Sequence, residues 1–310
     1  MYSYKAFGLT IISEIEIAEL ILGEGKPDVA IMLGPVSIVD HKKLDDFNYY
    51  KISKSEFKLD VKGVAKYCVR KGDCIIVNPE KNSDQDTIKA YLMGIAMGVL
   101  LIQRGVTAIH GSSVDIDGIS VIFTGECGVG KSTLCSAFRK KGYQYLADDI
   151  SVVTFGEEGI PVVHPAFAQQ RLCSDTAEML GYDLSTLPLV CTGEDKYAVN
   201  TGDDFESNAI PLRAIVEIKV ENKEKAMLKK VNGIDRIRCI KNNIYCILLY
   251  EKIGLSSGFI EQYINIAKNI SVYRLIRPEG QFTVEEQIKL VVNAVSDRTE
   301  KEPLKSELLI

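Results

Sequence analysis

The 310-residue sequence predicts an α/β fold in which a smaller β-rich N-terminal domain, residues 1–82, precedes a larger nucleotide-binding domain, residues 83–310. Three observations carry this prediction. Short apolar stretches with breakers between them fill the first eighty residues, a long apolar helix follows, and a glycine-rich loop then separates an apolar strand from a second helix. With 46% hydrophobic and 25% charged residues the composition is that of an ordinary folded chain, long enough for more than one core.

In the first part, Val29–Leu33, Phe57–Val61 and Cys74–Val77 read as strands between Gly, Pro and Asp breakers. The polar stretch Asn78–Asp84 has helix-start chemistry, so a helix is expected from about Asp84 to Arg104, with Met93, Met97 and Leu100 as its core stripe. Its apolar run, Tyr91–Ile102, falls short of the roughly 20 residues that span a bilayer, and no membrane partner is expected. Strands follow at Val106–His110, Ser113–Asp117 and Ile119–Thr124, then a helix from Lys131 or Ser132 to about Lys141. Tyr145–Ala147 reads as a strand ending in Asp148 and Asp149, Ile150–Phe155 as the next, and Ile210–Val220 as a strong late strand. Thr283 with Glu286 forms a capping box for a last helix reaching about Val295, and the polar tail from Asp297 is expected to fray.

Bulk properties exclude some partners. A net charge of −5 leaves no overall basic field for a nucleic-acid backbone. The eight cysteines are scattered, without a C-x-x-C pair, and read as small buried hydrophobes of a reducing cytosol. Met1–Ile12 lacks the parts of a secretory signal, so a cytoplasmic location is expected.

The segment Gly125-Glu126-Cys127-Gly128-Val129-Gly130-Lys131-Ser132, followed by Thr133, satisfies G-x-x-x-x-G-K-[ST] between a strand and a helix, which predicts a P-loop binding ATP or GTP. Glycines turn backbone N–H groups inward around phosphates, Lys131 supplies a point charge to the β and γ oxygens, and Ser132 ligates Mg²⁺. Glu126 and Cys127 are expected to lend only their backbone. Asp148 and Asp149 end a strand about seventeen residues after Lys131, where one acid would hold Mg²⁺ and the other would orient or deprotonate an attacking hydroxyl. The bland alternative is a solvated acidic turn. His110, at the end of an apolar strand, is by itself more often a structural histidine than a catalyst. Arg171, Lys196 and Arg213 are the candidate phosphate clamps, set against the usual reading of isolated basic residues as solvated surface charge.

Ile109-His110-Gly111, the segment Gly125–Thr133, Gly142 and Leu146-Ala147-Asp148-Asp149 together resemble the catalytic domain of HPr kinase/phosphorylase, a bacterial serine kinase; the resemblance covers about residues 105 to 155. Phosphoenolpyruvate carboxykinases share a similar P-loop core and Asp pair. Tyr4-Lys5-Ala6-Phe7-Gly8-Leu9, Ile210–Ile215 and Val272–Leu275 are similar to smaller HPr-kinase-like proteins, some of which accompany lasso-peptide clusters and phosphorylate the precursor peptide. The resemblance implies an HPr-kinase/carboxykinase-like core, ATP and Mg²⁺ as cofactors, Lys131 on the phosphates, and Ser132 with Asp148 on the metal. It also implies that Asp148 and Asp149 share metal binding and general-base duty, with Asp149 the preferred base, and that His110 is hydrogen-bonded near the pair. Cys127 stands where the family usually has Ser. A Glu-x-Arg-Gly-x-Gly segment is absent, so neither phosphorolysis nor HPr as the substrate is implied.

The resulting expectation is an ATP-dependent kinase acting on a serine or threonine hydroxyl of a peptide or protein, and it admits a homo-oligomer. A small-molecule or carboxykinase-like phosphotransferase would use the same site. A nucleotide-sensing regulator would bind without turnover, and the paired acids argue against it, since a sensor needs no base.

Overall fold

The computed structural model describes residues 1–37, 42–43, 48–191, 195–254 and 256–296; the tail expected to fray and the Gly193–Glu194 part of the loop before Lys196 lie outside the described residues. Residues up to Pro79 supply a nine-stranded sheet among the described residues. Along Glu56–Val61 the side chains of Phe57, Leu59 and Val61 are buried and those between them are not, the period-two alternation of a strand with one face on a core. The expected strand Val29–Leu33 and the strand Cys74–Pro79, which extends the expected Cys74–Val77, are parallel neighbours, with Ala30 opposite Cys74.

Asp84 caps the long helix, its carboxylate accepting from Thr87 N at 2.8 Å. The helix runs Gln85–Tyr91, passes through a π-helical turn at Leu92–Ala96, and continues as Met97–Gln103. Over Gln85–Gln103 it is long and apolar enough to cross a membrane, at mean hydropathy 1.3, which the shorter run Tyr91–Ile102 does not reveal; 61% of it is buried inside the fold. Tyr67 of the first sheet donates from its hydroxyl to Ile88 O at 2.9 Å, and Met93, Met97 and Leu100 are buried. One continuous core runs from Tyr4 and Phe57 through this helix to Ile109, Ile215 and Val272 of the second sheet.

The second sheet has eight strands among the described residues. The two strands expected at Val106–His110 and Ser113–Asp117 are one, Thr107–Ile116, which changes partners along its length. Residues 107–110 pair with 150–153, and residues 111–116 pair with 119–124. A Cβ on Gly111 would come within 2.4 Å of Phe123 O, so a side chain at this switch would push the strands apart. The strand Ile119–Thr124 lies parallel to Ile210–Glu221, which lies parallel to Ser271–Pro278. The strand Gln144–Ala147 that follows helix Lys131–Lys140 pairs instead with residues 113–115. Helices Lys131–Lys140 and Val284–Ser296 share a second core through Leu134, Phe138, Ile288 and Val291. The expected capping box takes another form: Glu286 accepts from Ala226 N at 3.1 Å, and Thr283 Oγ1 accepts from Gln287 Nε2 at 3.1 Å.

Candidate phosphate-binding and carboxylate site

The glycine-rich loop leaves the carboxyl end of Ile119–Thr124, level with Glu217 on the neighbouring parallel strand. Gly125, Gly128 and Gly130 all have positive φ, at 135°, 80° and 98°. At Gly125 a Cβ would sit 2.6 Å from Ile218 O, so the loop can turn away against its neighbour only with glycine. Gly130 precedes helix Lys131–Lys140, whose first N–H groups have no intrahelical partner and face the loop side. Lys131 is nearly buried, and its Nζ donates to Gly125 O at 3.0 Å and Glu126 O at 2.9 Å, closing the loop on itself. Burial pushes its ammonium below lysine's ordinary value, against the pull of Cys127, Asp149 and Asp148.

Asp148 is 4% exposed and heavily bonded. Its Oδ1 accepts from Ser112 Oγ, from Ser132 Oγ at 2.9 Å and from Asp149 N at 3.1 Å, while Oδ2 accepts from Arg171 N at 3.0 Å. Asp149 differs in every respect. Its backbone is left-handed at φ 67°, an uncommon state for a residue with a side chain, and 40% of its side-chain surface is open. Burial by itself would raise its carboxyl, but the hydrogen bond and charge of His110, then Arg171 and Lys196, hold it below the usual carboxylate range. His110 Nδ1 lies 3.2 Å from both Asp149 Oδ1 and Asp149 O.

His110 is positioned from a distance. Its N donates to Asn243 O at 2.8 Å, its ring is 5.9 Å from that of Tyr245, and Tyr245 leans on Gly98 of the long helix, where a Cβ would meet Cε1 at 2.3 Å. The structure therefore brings His110, Lys131, Ser132, Asp148 and Asp149 into one site. Arg171, on Gln169–Cys173, joins it through its main chain, and Lys196, opposite Cys173 on Lys196–Asn200, through its charge. Arg213 does not join: it lies beside Leu212, which is level with Ser120 at the far end of the loop strand from Gly125.

Two residues depart from expectation. Cys127 and Cys173 are exposed, whereas Cys68, Cys135, Cys191 and Cys239 are buried. A cysteine in a loop whose amides turn inward has its side chain turned out, so the general rule for free cysteines fails there. Sequence reading also passes over Ser112, although it follows His110 by two residues in a strand and so shares its face. It passes over the pair Glu217–Arg274 as well, at 2.8 Å on adjacent parallel strands level with Thr124, with Lys219 linking Glu217 (3.6 Å) to Glu126 (3.2 Å). No local pattern signals that pair, because its partners lie 57 residues apart.

Beside the loop opens a cavity of about 290 Å³, lined by Gly128, Gly130, Thr133, Met179, Arg277 and Phe282 among others. Met179 and Phe282 are each 54% exposed, and Arg277 Nε donates to Val129 O at 2.9 Å. Among the described residues no group of three or more His, Cys, Asp or Glu is set to hold a metal by itself. Ser132 Oγ and Asp148 Oδ1 nevertheless converge, and one or two protein oxygens completed by phosphate and water is how Mg²⁺ is ordinarily held beside a nucleotide.

No family model matches the chain. Over 56 residues it is 41% identical to the HPr kinase/phosphorylase of Geobacillus sp. (strain WCH70), a stretch that is 18% of each chain. Over 43 residues it is 49% identical to the HPr kinase/phosphorylases of Bacillus mycoides (strain KBAB4) and Bacillus cereus (strain B4264), 14% of each chain. The matches thus span less than a fifth of these relatives' length. A solved Hpr(Ser) kinase/phosphatase from Coxiella burnetii is similar at 14% identity over 60% of this chain and 89% of that one, with a TM-score of 0.33. An HPr-kinase-like relationship therefore holds for part of the chain.

Proposed function

We propose that the protein is an ATP-dependent kinase that transfers the γ-phosphoryl group to a serine or threonine hydroxyl of a peptide or protein. The observation that carries this reading is the hydrogen bond of Ser132 to Asp148 next to a strained, half-open Asp149 whose Oδ1 lies 3.2 Å from His110 Nδ1. A binding loop alone needs no such acid; a transferase does. The partial relationship to HPr kinase/phosphorylases supports the same class of chemistry, and a lasso-type precursor peptide is one acceptor of the required kind.

In this reading the triphosphate lies in the loop of Gly125–Ser132 and the nucleoside occupies the adjoining cavity between Met179 and Phe282. Lys131 exchanges its bonds to the loop carbonyls for phosphate oxygens, which also offsets the cost of its burial. Ser132 and Asp148 would hold Mg²⁺, whose charge offsets that of the β and γ oxygens. The acceptor hydroxyl oxygen attacks Pγ in line, the bond from Pγ to the bridging oxygen of ADP breaks, and the hydroxyl proton passes to Asp149. His110, with Nδ1 3.2 Å from Asp149 Oδ1, orients that carboxylate.

The test is incubation with labelled ATP and Mg²⁺ against candidate peptides, including short precursor peptides, read by mass spectrometry beside Asp149→Asn. A single added phosphate on serine or threonine, lost in the variant, is the expected result. ATP binding without transfer to any peptide or small hydroxyl compound would overturn the kinase reading in favour of a sensor.

A further inference from the structure

The last residue but one of strand Ser271–Pro278 is Arg277, opposite Val220 on the parallel strand Ile210–Glu221. Side chains alternate along a strand, so Arg274 and Arg277 leave opposite faces of the sheet. Arg274 pairs with Glu217 at 2.8 Å. Arg277 shares the face of Leu275, which is buried in the core of helices Lys131–Lys140 and Val284–Ser296, and it emerges past that core beside the loop. A Cβ on Gly130 would stand 3.7 Å from Arg277 Nε, and Nε itself donates to Val129 O at 2.9 Å. With Val129 O turned to Arg277, the Gly130 N–H, which runs antiparallel to it in the same planar peptide, points to the opposite side of the loop.

The rest of the guanidinium is open. Nη1 makes one long contact, 3.5 Å to Pro278 O, while Nη2 has no partner among the described residues and is not sealed from solvent. No carboxylate of the described residues stands within ion-pair distance of Arg277, which sets it apart from Arg274. Asp175, the other charged residue lining the cavity, accepts instead from Thr176 N at 2.6 Å. A partly buried, permanently charged group with a free edge on a cavity wall is best completed by an anion that arrives with the ligand. The same wall decides which part of a nucleotide that edge meets. Gly130, Thr133 and Arg277 line the cavity, whereas Lys131, Ser132 and the aspartate pair do not. A triphosphate with its γ end at Ser132 and Asp149 and its nucleoside between Met179 and Phe282 therefore passes Arg277 at the α-phosphate.

We propose that Arg277 is a nucleotide-binding residue whose Nη edge meets the α-phosphate, with Nε held on Val129 O to aim it. This rests on the nucleotide lying as in the kinase reading, but it needs no transfer. The contact is the same before and after the γ-phosphoryl group leaves, so it holds ATP and ADP alike and gives the transition state no advantage over either. Arg277 thus differs from Lys131, whose charge goes to the β and γ oxygens. The loop lysine serves the reaction, and the strand arginine serves retention of the nucleotide.

Arg277→Met keeps an unbranched stem and removes the guanidinium, whereas Arg277→Lys keeps the charge and loses the planar fork. Each full-length variant is first checked by thermal melting. It is then titrated in a calorimeter, with Mg²⁺ present, against ADP and against a non-transferable ATP analogue, and its binding of adenosine is followed by ligand-observed NMR. Arg277→Met is expected to weaken ADP and the analogue by the same factor, about thirtyfold, with adenosine unchanged, and Arg277→Lys to recover part of the loss. Unchanged affinity for ADP and the analogue would overturn the assignment. So would a loss confined to the analogue, which would put Arg277 at the γ-phosphate, or an equal loss for adenosine, which would make it a wall of the cavity and no phosphate ligand. In the peptide transfer assay, Arg277→Met should raise KM for ATP by about the factor seen in binding, with the smaller part of its effect on kcat. Nucleotide binding that depends on Arg277 but leads to no transfer sinks the kinase reading and leaves Arg277 in place. Transfer with KM unshifted in Arg277→Met does the reverse, and a wild-type chain that binds no nucleotide ends both.

Discussion

The glycine-rich loop and the carboxylate corner are built in opposite ways. The loop comes from one uninterrupted stretch, Gly125–Ser132, and relies on backbone N–H groups, helix-start amides and one nearly buried lysine. The corner is assembled from four separate places, His110 with Ser112, Asp148 with Asp149, Arg171, and Lys196, and relies on side chains held by long-range pairing. A contiguous loop keeps its geometry when a neighbour changes. A corner made of four segments depends on each of them, which predicts different kinds of damage in the two halves.

The largest expected effect lies in the loop. Lys131→Ala should lower phosphoryl transfer by more than about 10³-fold, since phosphoryl transfer draws nearly all its acceleration from positioning and charge. Stability should hold or rise, because Lys131 bonds only to loop carbonyls and is disfavoured by burial. Transfer assays with a thermal melt read both; activity retained, or a chain that unfolds, would erase the distinction between the halves.

The two aspartates sharpen it. Asp149→Asn should cost roughly 10²-fold in turnover through loss of the base while leaving stability nearly unchanged, because asparagine accepts the left-handed backbone at least as well as aspartate. Asp148→Asn also removes activity, but it leaves four donors sharing one amide oxygen and should lower stability by about 2 kcal/mol. Urea titrations of the pair distinguish them. Equal losses of stability would mean that Asp148 is no more structural than its neighbour.

How much of this the sequence carries follows from the same contrast. The loop is legible because G-x-x-x-x-G-K-[ST] sets fixed residue types at fixed spacing, and so are the adjacent aspartates, which end a short apolar strand. The long helix from Asp84 is legible from its cap and apolar content, but its π turn at Leu92–Ala96 is not, since it answers to packing on both sheets. The parallel neighbour of the loop strand cannot be read either: Ile210–Glu221 looks like a strand, yet nothing local says that it, and not Gln144–Ala147, lies beside Ile119–Thr124. Arg213 is a candidate by residue type alone, and the register puts it at the wrong end of the sheet. Arg171 is an isolated arginine in sequence, and only the ribbon pairing brings its N–H to Asp148.

A smaller effect tests how the corner is tuned. His110 is the leading influence holding Asp149 below the ordinary carboxylate range, while burial pushes the other way. The folded-state value is depressed, so the ionised, active form persists above the ordinary carboxylate range near 4 and is lost only as pH falls through the lower folded value. His110→Gln keeps a hydrogen-bonding side chain but removes the imidazole. The acid limb of kcat/KM should then move to higher pH, with about a tenfold loss at neutral pH from the lost orientation of the carboxylate, which is ionised there in either case. An acid limb that stays in place would show that Arg171 and Lys196, not His110, set the charge of Asp149.

The smallest effect returns to the loop and uses its exposed cysteine. Cys127 lies in the glycine-rich stretch proposed to hold the phosphates, and its side chain is open to solvent, as is that of Cys173 at the end of the ribbon strand. In the empty loop both should react with iodoacetamide, while buried Cys135 and Cys239, whose thiols burial raises, the latter to about 12, should not. On the proposed binding mode nucleotide needs only the backbone of residue 127, so ATP with Mg²⁺ should slow alkylation of Cys127 several-fold by stiffening and covering the loop. Cys173, outside the loop, should be slowed less. Peptide mapping of the labelled sites reads both rates in one experiment. Equal protection of the two would mean that nucleotide closes the ribbon over the loop, making the corner and the loop one moving unit rather than two separately built halves.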